Sequence, residues 1–546
     1  MGTDGAPVID PGRCVLTDLV AAMPDKASSV LLCRRGGART SVPYPECHRD
    51  ALSLAAALRR RGVAPGTRVA VHGATSYEWV LADLAALLTG AVSVALYPSA
   101  PPERAVATAR EAGCRTVLTD RADCVAAFRA AGLDVVFLGP EGEGAPSVVE
   151  LIAEAAEKGE DAGAGAGAAD FAPADRGDGP FTIVSTSGTL SEPKLFAVHS
   201  APLLHTMDHF AELYGFDGRD RLLVYLPLSH LPQRMMLYWG LGQGLDFVLS
   251  DPARVIADGV ETSPTLHVAV PRSLQHLHKR ALDLARRQGL EGEEGAMTKA
   301  YAQVFGTALK AVFVGSAPSD PALLAELHAG GVPVYEVYGT TELGMVGLNV
   351  PDANRRGTVG RPIPWGDVRI DDESGEVLVR TPTPFRYGEV LGPHVVPVVR
   401  NPDAWWPTGD AGALDADGFL TVHGRLRDFV ALPNGEKVFL RALEESTAAA
   451  TGAGLCVVMK IDASHLGALL FFDPAAPEGV GSADGYRARL AEANRRLHPW
   501  ERIHSFAVVS GLPSLADGCM TETTKLRRHK VEETYGAPAQ WLSVRE

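Results

Sequence analysis

The run Ser185-Thr186-Ser187-Gly188-Thr189-Leu190-Ser191-Glu192-Pro193-Lys194 constrains this chain more than any other stretch. Small hydroxyl side chains surround one glycine, the run closes on Pro-Lys, and the apolar segment Phe181-Thr182-Ile183-Val184 leads straight into it. Aromatic and β-branched residues bounded by turn formers predict a strand that empties into a loop. Hydroxyls, backbone N–H groups and a lysine on a short loop after a strand suit a polyphosphate, which needs many donors within a small radius. A solvated Ser/Thr-rich turn would read the same way locally, so the rest of the chain decides.

Upstream the pattern alternates. Ala51, Leu54, Ala55 and Leu58 share one helical face that ends at Arg59-Arg60-Arg61-Gly62, and Val63-Ala64-Pro65-Gly66 forms the turn. Arg68 to His72 reads as a strand, Trp79 to Leu88 as a helix, Ala91 to Leu96 as another strand. Repeated βα units predict parallel sheets covered by helices. The apolar stretch Leu81 to Tyr97 is broken by Asp83, Thr89, Gly90 and Ser93, so it is expected to be a buried helix and strand and not a membrane span. A Gly/Ala/Asp-rich connection from Glu157 to Pro180 precedes the hydroxyl-rich loop. Past Gly357, the short alternating runs Gly375–Arg380 and Gly418–Val422 predict a small β-rich part. From Phe429 a separate αβ unit follows, with Leu490, Ala493 and Leu497 on one helical face.

At 546 residues the chain exceeds what one core can serve, so at least two domains are expected. Its 46% hydrophobic and 21% charged content is ordinary for a globular protein. The net charge of −15 disfavours nucleic acid or an anionic membrane as partner, but not a polyphosphate held by local donors. The seven cysteines form no C-x-x-C pair or His-Cys cluster, which predicts reduced thiols. The first residues, Met1 to Ala6, lack a basic start and an apolar stretch, so a cytoplasmic enzyme without an integral membrane segment is expected.

Four further segments follow the loop in order: Tyr338-Gly339-Thr340-Thr341-Glu342, Thr408-Gly409-Asp410, Gly424-Arg425-Leu426-Arg427-Asp428, and Thr523-Thr524-Lys525-Leu526-Arg527-Arg528. Together the set resembles the signatures of the adenylate-forming (ANL) superfamily of AMP-dependent synthetases and ligases, which includes acyl-CoA synthetases, nonribosomal adenylation domains and beetle luciferases. The resemblance covers roughly residues 40 to 535. Leu226-Pro227-Leu228-Ser229-His230 and Val270-Pro271-Arg272 look most like the long-chain acyl-CoA synthetase branch. The resemblance implies an α/β fold. Residues 1–428 would form a large N-terminal adenylation domain of two doubly wound αβ subdomains plus a small β-rich subdomain. Residues 429–546 would form a small mobile α+β C-terminal domain, with Asp428 as the hinge.

It also implies roles. ATP would lie against Thr186, Ser187, Gly188, Thr189 and Lys194 at its β- and γ-phosphates, and against Gly315, Ser316, Ala317, Tyr338, Gly339 and Thr340 around adenine. Asp410 would accept hydrogen bonds from the ribose hydroxyls, with Arg425 in support. Glu342 would hold Mg²⁺, a hard cation that takes oxygen ligands and bridges phosphates, and Thr341 would contact the α-phosphate. Lys525 would bridge the carboxylate and α-phosphate oxygens, and His230 would gate the substrate. Met235, Met236, the Gly315 segment and residues near Met345 would assemble the acid pocket. Arg527, Arg528 and Lys530 read as a solvated basic face. Three positions depart from the pattern: Leu190 stands where a hydroxyl is usual, and Ser191 and Leu195 where glycines are. Leu440 replaces a usual proline and Glu522 another.

The implied activity is an ATP-dependent, AMP-forming ligase that adenylates an acid and passes it to a second nucleophile. CoA as second substrate would give an acyl-CoA. The alternative is a biosynthetic enzyme that hands the activated acid to an amine or a carrier protein, including activation of nitrite for diazotisation of an aryl amine. A regulator that keeps only nucleotide binding is disfavoured by intact Glu342, Asp410 and Lys525.

Overall fold

The computed structural model describes residues 15–35, 37–142, 144–158, 180–185, 194–290, 293–381, 384, 386–391, 394–397, 401, 403–426, 429–431, 437–462, 465–473, 482–521 and 526–544. By packing, these fall into two compact units, the second comprising the described residues within 368–379 and 405–544.

Two large mixed sheets build the first unit. The eight-stranded sheet runs in the order His394–Pro397, Arg386–Leu391, Leu195–His199, Pro180–Ser185, Val92–Leu96, Arg68–His72, Thr116–Thr119, Asp134–Phe137. Its strands are parallel from Pro180–Ser185 to the Asp134 edge and antiparallel beyond. Val92–Leu96 is buried along its whole length, as expected of a strand covered on both faces. The helix Tyr77–Thr89 packs beside it, capped by Ser76 Oγ and ended by Gly90 at φ +78°. The apolar stretch around Leu81 is therefore a buried helix and strand, and no helix among the described residues is long and apolar enough to cross a membrane.

The nine-stranded sheet runs Arg361–Pro362, Gly344–Leu348, Val334–Thr340, Ala311–Val314, Leu266–Ala269, Arg221–Val224, Asp246–Leu249, Val30–Arg35, Ala38–Pro43. From Val334–Thr340 to Val30–Arg35 the pairing is parallel. Chain order reverses beside Arg221–Val224: the next strand lies on one flank and the three after it on the other. Such a switch point opens a crevice outside the carboxyl ends of the strands, because the helices leaving the two neighbours diverge to opposite faces.

In the second unit, Asp367–Ile370, Glu376–Arg380, Trp406–Leu414 and Leu420–Arg425 form a four-stranded sheet, matching the alternation read past Gly357. A second sheet runs Leu455–Lys460, Leu466–Phe472, Ile503–Ser510, Leu542–Ser543. The run Leu466-Gly467-Ala468-Leu469-Leu470-Phe471-Phe472 is apolar throughout because both its faces are covered. Leu466, Ala468, Leu470 and Phe472 join Leu443, Tyr486 and Leu490, while Leu469 and Phe471 join Met459, Cys519 and Val531. The described cysteines are free and buried.

Candidate active site

In the first unit, the sequence candidates collect at strand carboxyl ends around the switch point. His230 closes the loop after Arg221–Val224 and is the N-cap of the helix Leu231–Gln243. Gly315, Ser316 and Ala317 follow Ala311–Val314, and Tyr338, Gly339 and Thr340 end Val334–Thr340. Thr341 and Glu342 turn that strand into its antiparallel neighbour, with Thr340 paired to Gly344. The candidate loops touch each other. His230 Nε2 lies 3.1 Å from Ser316 Oγ, and Tyr225 Oη lies 3.0 Å from Ser273 Oγ across the crevice between the strands of the switch.

Local backbone explains the small residues. A Cβ on Gly315 would lie 2.8 Å from Val337 O, and one on Gly339 2.5 Å from Gly344 O. Both glycines thus let the loops approach the neighbouring backbone. Ser316 has φ +67°, one of two non-glycine residues with positive φ among the described residues. A serine held there stores backbone strain, a habit of ligand-contacting turns. Leu343 N donates to Thr340 Oγ1 at 3.1 Å and pins the hairpin tip.

The Glu342 carboxylate sits half-buried on that tip. Among the described residues no group of three or more His, Cys, Asp or Glu could hold a metal. The one carboxylate on the tip suits Mg²⁺, which commonly takes one or two carboxylates and completes its shell with phosphates and water.

Thr186, Ser187, Gly188 and Thr189 lie outside the described residues, as do Leu190 and Ser191. The flanks of the loop are described. Ser185 and Leu195 are cross-strand partners in the antiparallel pair Pro180–Ser185 and Leu195–His199, and Lys194 is exposed beside them. Leu195, in place of a usual glycine, is 3% exposed and packs into the core.

Sequence reasoning missed the support beneath this loop. Arg234 and Asp83 are both buried and ion-paired. Arg234 Nε donates to Asp83 Oδ2 at 2.7 Å, Nη1 to Thr182 Oγ1 at 2.8 Å and Nη2 to Ser93 Oγ at 2.6 Å, and Tyr238 Oη donates to Asp83. The guanidinium also faces the rings of Trp79, Phe181 and Tyr238. This network ties the His230 helix to Pro180–Ser185, the strand that leads into the hydroxyl-rich loop. A signal was available: one acid inside Leu81–Leu88 and one base inside Gln233–Leu241, each alone in apolar sequence, call for each other.

In the second unit, Asp410 and Arg425 are cross-strand partners. Arg425 Nε lies 3.1 Å from Asp410 Oδ1, and Nη1 donates to Thr408 O at 3.0 Å. Asp410 N donates to Thr408 Oγ1, and Gly409 N to Glu376 Oε1 at 2.7 Å, which fixes the strand at Asp410. Asp428 and Lys525 lie outside the described residues. Arg528 corrects the reading of a solvated basic face. It donates to Glu444 Oε1 at 2.7 Å, to Glu444 Oε2 at 2.9 Å and to Val458 O at 2.7 Å, and its side chain is 19% exposed. Leu440, where proline is usual, is the first residue of the helix Leu440–Thr451, the one helical position at which proline costs nothing.

The model of the AMP-binding enzyme family matches residues 18–391, most of the chain. The chain belongs to that family. This AMP-binding enzyme is 26% identical to the long-chain-fatty-acid–CoA ligase FadD15 of Mycobacterium bovis, over 93% of each chain. It is 24% identical to long chain acyl-CoA synthetase 6, peroxisomal, of Arabidopsis thaliana, over 90% of this chain and 80% of that one. Among solved structures, the anthranilate CoA ligase AuaEII in complex with anthranoyl-AMP superposes with a TM-score of 0.76 at 19% identity, covering 95% of this chain and 96% of that one. The amide bond synthetase McbA from Marinactinospora thermotolerans has a TM-score of 0.72 at 21% identity, over 95% and 99%. These likenesses establish the fold: a large N-terminal and a small C-terminal domain. The enzyme is an AMP-forming acid ligase.

Proposed function

We propose that this enzyme adenylates a carboxylic acid with ATP and Mg²⁺ and transfers the acyl group to CoA. The observation that carries the reading is the gathering of His230, Ser316, Tyr338 and Glu342 at strand carboxyl ends around the switch point of an AMP-binding enzyme. FadD15 relatives named as CoA ligases support CoA as acceptor. In this reading Tyr338 stacks on adenine, Asp410 and Arg425 take the ribose, and the Thr186–Lys194 loop takes the β- and γ-phosphates. Thr341 contacts the α-phosphate. Glu342 would hold Mg²⁺, which would withdraw charge from the phosphates. Lys525 neutralises charge that grows on the α-phosphate as the carboxylate attacks, an interaction worth most in the transition state. Asp428, at the boundary between 1–428 and 429–546, absorbs the rotation that lets the second nucleophile enter.

A second reading keeps the adenylation and changes the acceptor to an amine or a carrier-protein thiol. The amide bond synthetase McbA, with the same fold, favours weighing it. Nitrite as the activated acid belongs to this reading. The test is pyrophosphate and AMP release across fatty, aromatic and small acids, nitrite included, with CoA, with an aryl amine and with neither. AMP release that requires CoA supports the first reading. Release that requires the amine replaces it with the second.

A further inference from the structure

The space between the helix Leu231–Gln243 and the strand Ala311–Val314 is bounded at both ends. At the strand carboxyl ends, His230 Nε2 meets Ser316 Oγ at 3.1 Å. The helix leaves there and runs back to start the parallel strand Asp246–Leu249, so Trp239 lies toward the opposite end of the sheet. At that end the ring of Phe216 stands between the two elements. Its centroid is 6.1 Å from that of Trp239 on the helix and 5.9 Å from that of Phe313 on the strand. From His230 to Trp239 is about 13 Å along the helix axis. From Ser316 back to Phe313 is about 10 Å of chain at most. The cleft that opens at the switch point is therefore stopped about 10–13 Å beneath its mouth.

The stop is held in place. Phe216 stacks on Tyr214 at 5.4 Å with the ring planes 7° apart, and the Tyr214 hydroxyl donates to Asn349 O. Phe313 is wedged among Phe210 at 4.6 Å, Tyr214 at 4.9 Å and Tyr335, its partner on the next strand, at 6.1 Å. Phe210, Phe216, Phe313, Tyr335 and Trp239 are all buried. Rings in edge and stacked contact fix one another, and a chain passes a close-packed cluster only by displacing a ring. An extended alkyl chain advances about 1.25 Å per carbon, given C–C bonds of about 1.5 Å near the tetrahedral angle. Octanoate then needs about 9 Å, and palmitate about 19 Å.

We infer that Phe216 is a specificity-determining residue that ends the acid site, and that the acid is compact. A small acid, a single-ring aryl acid or a medium-length alkyl acid fits; a long-chain fatty acid does not. This rests on the reading above that the enzyme adenylates an acid, with the acid lying between the helix of Met235 and Met236 and the Gly315 segment. It sets this enzyme apart from the long-chain-fatty-acid–CoA ligase FadD15, to which it is 26% identical.

The experiment uses the full chain with ATP and Mg²⁺ and straight-chain acids from acetate to palmitate, with benzoate and nitrite beside them. Two readouts are taken: pyrophosphate release and the upshift in melting temperature on acid binding. Expected is a length limit at or below about octanoate. Palmitate should lie about 10²-fold or more below the best acid in kcat/KM, the cost of forcing a chain into a filled core. Phe216→Leu removes part of the ring and should lengthen the longest accepted alkyl acid by about two carbons or more, leaving the shortest acids within about threefold. Wild-type turnover of palmitate to match octanoate overturns the inference. So does a Phe216→Leu profile that keeps the wild-type limit with all acids slowed alike, the result a structural ring would give. If Phe216→Leu fails to fold, Phe216→Met fills more of the space with a side chain that can bend aside, and a limit that stays fixed there overturns the inference. If no acid releases pyrophosphate, the adenylation reading fails alone. The melting upshifts then decide: upshifts that stop at or below about octanoate support the inference, and upshifts that persist to palmitate, or none at all, overturn it.

Discussion

Each unit of this enzyme contains an arginine that grips a carboxylate with both arms of its guanidinium, and the two are built differently. Arg234 and Asp83 are sealed from water among Trp79, Phe181 and Tyr238, with Thr182, Ser93 and Tyr238 completing the bonds. Arg528 and Glu444 are 19% and 12% exposed and share their bonds with main chain: Val458 N donates to Glu444 Oε1, and Arg528 donates to Val458 O. The first joins elements far apart in sequence and cannot be lost without stranding a charge. The second seats one short segment, because Met520 pairs with Leu526 and Arg527 N donates to Cys519 O at 2.8 Å immediately before it. One fork ties distant elements together; the other seats the short stretch that begins at Leu526.

The largest effect is expected at the residue that the second fork would aim. Lys525→Ala should lower adenylation by about 10²–10⁴-fold, roughly 3–5 kcal/mol of transition-state stabilisation. Its melting temperature and ATP affinity should stay near wild type. Near-normal pyrophosphate exchange in the variant would remove Lys525 from the mechanism and leave the second fork with nothing to aim.

Breaking the first fork should cost stability instead. Asp83→Ala leaves a buried guanidinium without its counter-charge, a change worth about 3–5 kcal/mol. Replacing both partners, as Asp83→Leu with Arg234→Met, should recover most of that loss, since no charge is then stranded. Chemical denaturation of the single and double variants measures it. A double variant no more stable than Asp83→Ala would mean that the polar contacts to Thr182 and Ser93, and not charge burial, dominate.

Glu336 sharpens the comparison because it is buried and, among the described residues, no arginine fork reaches it. Gly357 N donates to it at 3.1 Å, and burial, outweighing the backbone N–H donors, pushes its carboxyl up to about 7. The folded state therefore holds this proton more tightly than the unfolded chain, whose glutamates titrate near about 4.3. Its contribution to stability is full below the unfolded value, falls as pH rises through about 7, and is flat above. The loss should reach about 3–4 kcal/mol at most between about pH 4.5 and 7.5, and Glu336→Gln should flatten that part of the profile. A wild-type curve as flat as the variant's would show Glu336 ionised in the folded protein.

How much of this was legible beforehand follows from the range of the interactions. The helix Tyr77–Thr89 and the strand Val92–Leu96 announce themselves through local periodicity, and the motifs around Tyr338 and Asp410 through contiguous residues. The sharing of bonds between Arg528 and Glu444, 84 positions apart, has no local trace, and Arg528 reads in sequence as one more solvated base. Leu195 stands out in sequence only as a departure from the usual glycine; strand pairing turns its side chain into the core.

The smallest expected effect is the most discriminating one. Arg528→Gln removes the fork but spares the bond from Val458 N to Glu444, so the helix Leu440–Thr451 keeps its tie to the sheet. A loss of about 2 kcal/mol in stability is expected for a partly buried charged pair of this kind. If the fork only glues the fold, the rate of adenylation in a single turnover should be unchanged once the folded fraction is held constant by working well below the melting transition. If it aims the loop that carries Lys525, the rate should fall about tenfold, and that loss should vanish when the lysine is already gone, because two residues acting through one step are not additive. The comparison is therefore Arg528→Gln made in the wild type and again in Lys525→Ala. Equal rate losses in both backgrounds would make the two forks the same kind of device, and the distinction between holding and aiming would fall.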